Sequence, residues 1–295
     1  MLLRNCKSQL SSFCWRNRLV SVLKKDDGLR QNDPVYQLVK RIRSQKMPSS
    51  QSIVAEAAKE LGLMQGYIDP SQVLEEFNNN LRKLFVQTLQ VLERYEELVY
   101  SNAVMPELTM MRSDLIEKLT GKNNVELVSR ALQSLYPDLW RVFLSRSQSR
   151  KQRGGQDFQD QIKTLFQLTG IPFDEQTRDY HTDFVIPSQD FYEKDRTRAM
   201  IFSIKRTLRE RWQEVVEELY HTRCPNVYLA TADDATKIST KTHVEGIRRY
   251  NMHLVVWDDV KREKFPGEPA VKSYTDFAKR EIPTFRGFWN NARPS

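Results

Sequence analysis

The sequence predicts an α/β protein with an all-helical N-terminal lobe, and two observations support this fold class. Apolar residues recur at helical spacing from residue 34 to about residue 148. The second half instead holds short apolar runs of the length expected for buried strands, at residues 183–186, 200–204, 227–230 and 254–257. Helical patterns near residues 158–168, 208–220 and 242–250 alternate with these runs, which is typical of a sheet covered by helices.

Two features of the first half mark helices directly. The apolar residues of the clearest helix are spaced mostly by three, four or seven positions, at Leu81, Leu84, Phe85, Leu89, Leu92 and Leu98. Ser49 or Ser50 can cap an earlier helix, and Gly62 stands where that helix would end. This helix could instead open a helix-turn-helix at residues 50–63, although no recognition helix rich in base-reading residues follows it.

Composition favours an intracellular protein with a polyanionic partner. Among 295 residues, 46 Lys and Arg exceed 38 Asp and Glu, so the formal charge is +8. Such an excess favours nucleic acid without proving it. The three cysteines, Cys6, Cys14 and Cys224, are odd in number and lack metal-site spacing, which fits a reducing compartment.

Targeting signals are weak in this sequence. The first 25 residues are basic and contain no acid, so they resemble a transit peptide or, more simply, a basic arm on a soluble protein. No apolar run approaches the roughly 20 residues that cross a bilayer, and none forms a signal-peptide core. We therefore expect a cytoplasmic protein.

A polar and basic stretch at residues 145–155, ending in two glycines, is the natural place for a domain boundary. We expect a helical N-terminal lobe at residues 1–150 and a second domain at residues 151–295. The same stretch could lie against phosphates through Arg150, Lys151 and Arg153.

Asp183 and Lys205 are the chemically suggestive pair. They fall on two short apolar runs that can pair as a hairpin across the loop at residues 188–197. In the second run, Ser203 shares a face with Lys205, because strand side chains alternate. A carboxylate beside an ammonium suits hydrolysis of a phosphodiester assisted by a hard cation such as Mg²⁺. The simpler alternative is that both are ordinary surface residues.

The helix after the second run strengthens the nuclease interpretation. Arg209, Glu210 and Arg211 lie in its first turn, and these side chains have the donors and acceptors to read G·C pairs in a major groove. A solvated charged helix start is the alternative. Further along, Glu218 falls about 100° from the apolar stripe and could reach a site beside the sheet.

With these residues in view, residues 151 to about 260 resemble type II restriction endonucleases of the EcoRII and SsoII group, a branch of the PD-(D/E)xK nuclease fold. The resemblance rests on matching motifs: Arg153-Gly154-Gly155, Phe158, Asp183-Phe184-Val185-Ile186-Pro187, Ser203-Ile204-Lys205, Arg209-Glu210-Arg211-Trp212 and Glu218. It implies a restriction-endonuclease-like core, with a central mixed sheet flanked by helices.

The resemblance also implies roles for individual residues. Asp183 and Glu218 would bind Mg²⁺, Lys205 would be the catalytic lysine, and Ser203 would belong to the same catalytic group. The triplet Arg209-Glu210-Arg211 would read the two halves of a palindrome with a CCNGG-like core. Members of the group act as dimers, so we expect a homodimer, with a tetramer open, bound to double-stranded DNA in a bacterial cytoplasm.

Two positions depart from the group's pattern. Thr182 replaces the proline of the usual motif, which affects backbone shape and not chemistry. Gln159 stands where relatives carry glutamate, so it is at most a weak metal ligand. Some relatives flip bases onto an aromatic ring. The sequence leaves that ring open among four aromatic residues, Trp15, Tyr95, Tyr100 and Trp140.

The expected activity is thus Mg²⁺-dependent, sequence-specific cleavage of duplex DNA, leaving 5′-phosphate and 3′-hydroxyl ends. Two alternatives remain at this stage. One is a structure-specific repair or junction-resolving nuclease of the same fold. The other is a non-catalytic regulator that binds DNA through the helix-turn-helix at residues 50–63.

Overall fold

A computed structural model describes residues 33–117, 125–175, 182–208 and 212–290 of the chain. The chain divides into two compact units. Unit 1 comprises residues 1–47 and 96–149, and unit 2 comprises residues 48–95 and 150–295. Residues 48–95, which the sequence analysis grouped with the N-terminal lobe, therefore belong to unit 2.

The described part of residues 34–117 is helical, as predicted. The helices are α1 (Pro34–Lys46), α2 (Ser50–Glu60), α3 (Pro70–Glu75), α4 (Phe77–Val99), α5 (Met105–Met111) and α6 (Ser113–Glu117), with a π-helical turn at Tyr100–Val104. Ser49 caps α2 by accepting a hydrogen bond from the backbone N–H of Ser52. Gly62 follows α2 with a φ of +71°, a conformation that glycine adopts without strain. Both predicted ends of this helix are confirmed.

Helix α4 matches its predicted apolar face with one exception. Leu81, Leu84 and Leu92 are buried, whereas Leu98 is 56% exposed. Unit 1 has its own core, formed by apolar side chains from α1, α4, α5 and the π-helical turn together with one residue near position 140. Its members are Val35, Leu38, Val39, Ile42, Val99, Tyr100, Ala103, Val104, Leu108 and Val142.

Helix α7 (Val125–Leu168) is a continuous helix of 44 residues. It contains residues 145–155, where the sequence predicts a domain boundary, and the division between the two units falls between residues 149 and 150 without a break in the helix. Two interior glycines cost a helix about 1 kcal/mol each relative to alanine. Burial of Phe158, Ile162 and Phe166 along the following turns more than offsets that cost.

The sheet consists of β1 (Asp174–Glu175), β2 (Phe184–Ile186), β3 (Met200–Ile204), β4 (Val227–Ala230), β5 (His253–Val256) and β6 (Val271–Ser273). These strands lie side by side in the order of the sequence. Strands β1, β2 and β3 pair antiparallel, and β3 to β6 run parallel to one another. The mixed sheet that the sequence predicted is confirmed, including the β2–β3 hairpin.

Shorter helices connect the strands. They are α8 (Gln189–Lys194), α9 (Trp212–Tyr220), α10 (Glu245–Arg249), α11 (Asp258–Lys264), α12 (Tyr274–Asp276) and α13 (Ile282–Asn290), with π-helical turns at Thr240–Val244 and Phe277–Glu281. The helix predicted for residues 208–220 is described from Trp212 onward. Leu208 precedes it outside helical structure, because its backbone N–H is bound by a side chain described below.

The core of unit 2 is rich in phenylalanine. Phe166 of α7 lies with its ring centroid 5.5 Å from that of Phe202 on β3 and 5.7 Å from that of Phe184 on β2. Phe277 packs against Phe202 at 4.6 Å. All five residues of β3 are buried, so helices cover both faces of the sheet. Among the described residues, no helix has the length and apolar character needed to cross a membrane.

Candidate active site

The β2–β3 pairing places Asp183 beside the end of β3. Phe184, the first residue of β2, lies opposite Phe202, so Asp183, which directly precedes β2, comes level with Ser203. The Ser203 hydroxyl donates to Asp183 Oδ2 at 3.1 Å, and the backbone N–H of Ile204 donates to the same oxygen at 2.6 Å. The carboxylate is therefore held by the strand that leads directly to Lys205.

A cavity of about 850 Å³ lies at this end of the sheet, within unit 2. Four residues singled out from the sequence line it: Lys151, Gln159, Asp183 and Lys205. Other side chains complete the lining, among them Phe85, Arg206, Thr207, Asp233, Asp234 and Lys237. The structure thus brings together an acid and a lysine that are separated by more than 20 positions in the sequence.

Opposing effects act on the Asp183 carboxyl. Burial raises its pKa above the ordinary value for aspartic acid. The Lys205 ammonium and the hydrogen bonds from Ile204 and Ser203 oppose this rise, because each favours the ionised form. A cation entering the cavity would add to the effects that favour the carboxylate.

All five residues of β3 are buried, and Ser203 is the only one of them with a polar side chain. Its side chain is fully buried and its hydroxyl donates to Asp183. A hydroxyl enclosed in this way orients the carboxylate and does not itself meet a ligand from solvent.

Gly154 of α7 allows a close approach of Arg206 to the helix. A Cβ atom at this position would lie 1.8 Å from Nη1 of Arg206 and 2.9 Å from Cζ, so no larger residue fits without moving that side chain. The Arg206 guanidinium lies over the ring of Phe85, 5.4 Å from its centroid. The neighbouring Gly155 has open space around it.

Asp233, which was not singled out from the sequence, is a further acid of the cavity, and unlike Asp183 it is almost completely buried. Its side chain is 1% exposed. Oδ2 accepts a hydrogen bond from the backbone N–H of Leu208 at 2.5 Å, whereas Oδ1 is buried and has no hydrogen-bond partner among the described residues. One signal could have revealed it: Asp233 follows the carboxyl end of a buried parallel strand, a usual position for functional side chains in α/β sheets.

Comparison with known proteins agrees with this geometry. The family model described as EcoRII C terminal matches residues 123–288, which is more than half of the chain. The chain belongs to the EcoRII C-terminal family.

The chain is similar in sequence to the type II restriction enzyme SsoII of Shigella sonnei. The two sequences are 31% identical over 168 residues, an alignment that covers 53% of this chain and 54% of SsoII. The chain therefore matches about half the length of this curated relative.

Solved structures show the same fold. Metal-depleted Ecl18kI in complex with uncleaved DNA superposes with a TM-score of 0.75 at 24% identity, covering 88% of this chain and 86% of Ecl18kI. The complex of the restriction endonuclease PspGI with substrate DNA superposes with a TM-score of 0.54 at 18% identity, covering 83% of this chain and 95% of PspGI. The restriction-endonuclease-like core predicted from the sequence is confirmed.

Several residues that the family resemblance singles out are not described by the structure. Arg209, Glu210 and Arg211 lie outside the described residues. Glu218 lies on α9, and its side chain is likewise outside the described part. Their roles in this family member therefore stay predictions.

The donors around the cavity suit a hard cation. Its lining contains carboxylate, amide and hydroxyl oxygens but no histidine or cysteine, and Mg²⁺ prefers oxygen ligands. Within the described residues, no three His, Cys, Asp or Glu side chains cluster closely enough to hold a metal ion. The site fits Mg²⁺ if further ligands come from Glu218, from water or from a phosphate. Gln159 lines the cavity and could contribute only a neutral oxygen.

The three basic residues expected against phosphates have different surroundings. Lys151 lines the cavity. Arg150 is ion-paired with Glu93 at 3.5 Å. Arg153 is largely buried: it pairs with Asp157 at 3.3 Å and donates to the Pro48 carbonyl at 2.9 Å. In this family member the Arg153 guanidinium therefore stabilises unit 2, and of the three only Lys151 faces the candidate site.

The four aromatic candidates for base stacking also have distinct surroundings. Trp15 lies outside the described residues. The Tyr95 hydroxyl donates to Glu56, and the Tyr100 hydroxyl accepts from Arg43. Trp140 is 47% exposed and stacks on Tyr136. No ring of these residues lines the cavity that contains Asp183.

Proposed function

We propose that this chain is a type II restriction endonuclease that cleaves double-stranded DNA in a Mg²⁺-dependent reaction. One observation carries the proposal: in a chain of the EcoRII C-terminal family, Asp183 and Lys205 line one cavity and are positioned by the same strand. The solved relatives named above were crystallised with DNA, which supports duplex DNA as the substrate.

We assign the roles of the side chains from their chemistry. Asp183 and Glu218 would hold the cation. When bound, Mg²⁺ polarises the scissile phosphate and lowers the pKa of a water molecule. Lys205 orients the attacking water and offsets the charge that develops on the phosphate. Ser203 keeps the Asp183 carboxylate oriented through its hydroxyl. In-line attack at each strand would leave 5′-phosphate and 3′-hydroxyl ends.

We infer that sequence is read by the residues directly after this site. Arg209 and Arg211 would bind the O6 and N7 acceptors of guanine, and Glu210 would accept from the N4 amino group of cytosine. A palindromic site with a CCNGG-like core follows, and two copies of the chain would each cut one strand. Lys151 and Arg150 would contact phosphates if DNA releases Arg150 from Glu93. The bacterial cytoplasm is the location that suits this activity.

A plasmid digest tests the proposal directly. We expect the protein with Mg²⁺ to produce discrete fragments whose ends map to one palindrome, and chelation of the metal to stop the reaction. Structure-dependent nicking without a shared sequence would instead identify a repair nuclease. Binding to DNA with no cleavage would identify a regulator.

A pair of lysine variants separates chemistry from charge. Lys205→Ala should lower the cleavage rate by several orders of magnitude while leaving DNA binding in Ca²⁺ within a few fold. Lys83→Ala, which removes an exposed lysine of α4, should leave both properties unchanged. Equal effects of the two variants would exclude Lys205 from the reaction.

A further inference from the structure

Asp233 is placed where it can connect two parts of the proposed nuclease site. It follows β4 and is almost completely buried. A carboxylate loses much of its hydration on burial, so both of its oxygens need donors or cations nearby. Within the described part of the chain, Asp233 satisfies only half of that requirement, because Oδ1 has no hydrogen-bond partner there. A buried acceptor left in this state calls for an explanation.

The satisfied oxygen fixes the start of the proposed recognition segment. Oδ2 accepts from the backbone N–H of Leu208 at 2.5 Å. Leu208 is buried and directly precedes Arg209 in the sequence. It also lies three residues after Lys205. The hydrogen bond therefore acts on the short stretch of backbone that joins the proposed catalytic lysine to the proposed base-reading triplet.

Residues 230–232 hold the other end of the same stretch. The Lys205 N–H donates to the Ala230 carbonyl at 2.9 Å. The Arg206 carbonyl accepts from the Ala232 N–H at 3.2 Å. With Leu208 bound to Asp233, backbone atoms from residues 205 to 208 are attached to residues 230–233 at three successive points. A displacement of the backbone at Leu208 is then transmitted to Lys205, because the hydrogen bonds leave few free backbone torsions between these two residues.

The unsatisfied oxygen belongs to the cavity. Asp233 lines it together with Asp183 and Lys205. Among the described residues, the Lys237 ammonium lies 4.0 Å from Oδ1, beyond hydrogen-bond distance. Lys237 is instead closer to Asp234, at 3.1 Å. Asp233 thus retains a buried charge with incomplete compensation at the point where the two functions meet.

We propose that Asp233 is a positioning residue that couples base reading by Arg209, Glu210 and Arg211 to the placement of Lys205. This inference rests on the proposed function. When the triplet binds a correct base pair, the backbone of Leu208 is not displaced, so Lys205 keeps the position that it needs for cleavage. A wrong base pair displaces the triplet, and the bond to Asp233 passes that displacement back to Lys205. Asp233 therefore increases the difference in cleavage rate between cognate and altered sites.

Discrimination between DNA sites is the measurement that tests this role. Single-turnover cleavage rates would be compared on the cognate duplex, identified from mapped plasmid fragments, and on duplexes with one base pair changed. Asp233→Ala should lower the cognate-to-altered rate ratio at least tenfold, because altered duplexes gain cleavage rate relative to the cognate duplex once their displacement no longer reaches Lys205. Glu263→Ala, which removes an exposed carboxylate of α11 outside the lining of this cavity, should change the ratio less than twofold.

Two further variants isolate the hydrogen bond. Asp233→Asn keeps a carbonyl acceptor for the Leu208 N–H and should retain most of the discrimination. Replacing Leu208 by its α-hydroxy acid analogue through nonsense suppression removes only the N–H donor and leaves the side chain intact. This ester variant should lose discrimination as Asp233→Ala does, and the double variant should lose no more than the worse single variant. It also provides the test if Asp233→Ala does not fold.

Three outcomes would overturn the inference. The first is an equal loss of rate on all duplexes, as expected if Asp233 only stabilises the fold. The second is wild-type discrimination in the ester variant, and the third is equal effects of the Asp233→Ala and Glu263→Ala substitutions. In each case, cleavage at discrete sites by the wild-type protein would show that the proposed function holds and that only this inference fails. Wild-type protein that cuts no DNA would overturn the proposed function and, with it, this inference.

Discussion

Two carboxylates, one in each unit, are stabilised in different ways. Glu96 in unit 1 is fully buried and pairs with two arginines, Arg146 at 2.8 Å and Arg43 at 3.7 Å. Asp183 in unit 2 has no arginine partner among the described residues. Its hydrogen bonds come from a hydroxyl and a backbone N–H, and both reach the same oxygen.

The different partners of Glu96 and Asp183 distinguish an acid that stabilises the fold from an acid that can bind a ligand. Guanidinium groups around Glu96 compensate its charge within the protein, so no external cation is needed. The donors on Asp183 are neutral, the nearby cation is a lysine of the same cavity, and the carboxylate remains beside an opening large enough for a phosphate. Burial alone therefore does not identify a functional acid; the origin of the compensating charge does.

The largest effect should follow from Asp183→Asn. We expect cleavage to fall on the order of 10³-fold or more, because a neutral amide is a poor ligand for a divalent cation. The free energy of unfolding at pH 7 should stay the same or rise. Burial raises the pKa of Asp183, so the stability that its protonated form contributes at low pH is lost as pH rises through that value. Asparagine avoids this loss.

Cleavage assays and urea denaturation of the Asp183→Asn variant measure these two quantities. Asp195→Asn is the control, since Asp195 makes its hydrogen bonds to Thr197 near the surface. A stable Asp183 variant that still cleaves at the wild-type rate would contradict the distinction between the two acids.

The next largest effect should be on stability: Glu96→Ala should lower the free energy of unfolding. Removing this carboxylate leaves Arg43 and Arg146 without their partner, which typically costs roughly 3 to 5 kcal/mol for a buried pair. Urea denaturation measures the loss. Its exposed neighbour provides the control: Glu97→Ala should change the free energy of unfolding by less than about 0.5 kcal/mol. If both variants lost a similar amount of free energy of unfolding, Glu96 would not have the structural role assigned to it.

A smaller effect should distinguish the two glycines of α7. Gly155→Ala should stabilise the protein by about 1 kcal/mol, because alanine favours the helix and the position is open. Gly154→Ala should bring no such gain, since the new Cβ displaces Arg206 beside the candidate site. Its cleavage rate should fall by up to about 10²-fold. Thermal unfolding and cleavage of both variants test this, and identical behaviour would contradict the close approach of Arg206.

The smallest effect concerns Cys224 in unit 2. Burial raises the pKa of its thiol to about 11, so almost no thiolate forms at pH 8. We expect a thiol-specific disulfide reagent to label Cys224 very slowly in the native protein and quickly in urea. Mass spectrometry of the labelled peptide resolves this site from the other cysteines. Rapid native labelling would show that unit 2 opens readily around β4.

Much of unit 2 was predictable from its sequence because local pattern and tertiary structure agree there. The runs at Met200–Ile204 and Val227–Ala230 are the strands observed, residue for residue. Asp183 and Lys205 could be paired because a hairpin is the simplest connection between two neighbouring strands. Strands β1 and β6 escaped prediction because neither forms an apolar run: β1 is Asp174-Glu175, with both residues exposed, and β6 is Val271-Lys272-Ser273.

Other features depended on tertiary interactions that no local pattern reveals. The basic stretch before Gly154 has the composition of a boundary between domains, yet it is helical. The residues that follow it anchor the helix, because Phe166 packs against the strand residue Phe202 and Phe158 packs against Trp257. The role of Gly154 becomes visible only when Arg206 is seen against it. Asp233 was missed for the same reason, because its partner Leu208 is 25 positions away.

The hydrogen bond from Ile204 to Asp183 comes from the main chain, and this affects how the site can change during evolution. Any residue except proline at position 204 can supply the same donor. The location of the acid is thus insulated from most substitutions in β3, and it is set before any ligand arrives. Distant family members can therefore diverge widely in the surrounding side chains and still present a carboxylate at this position.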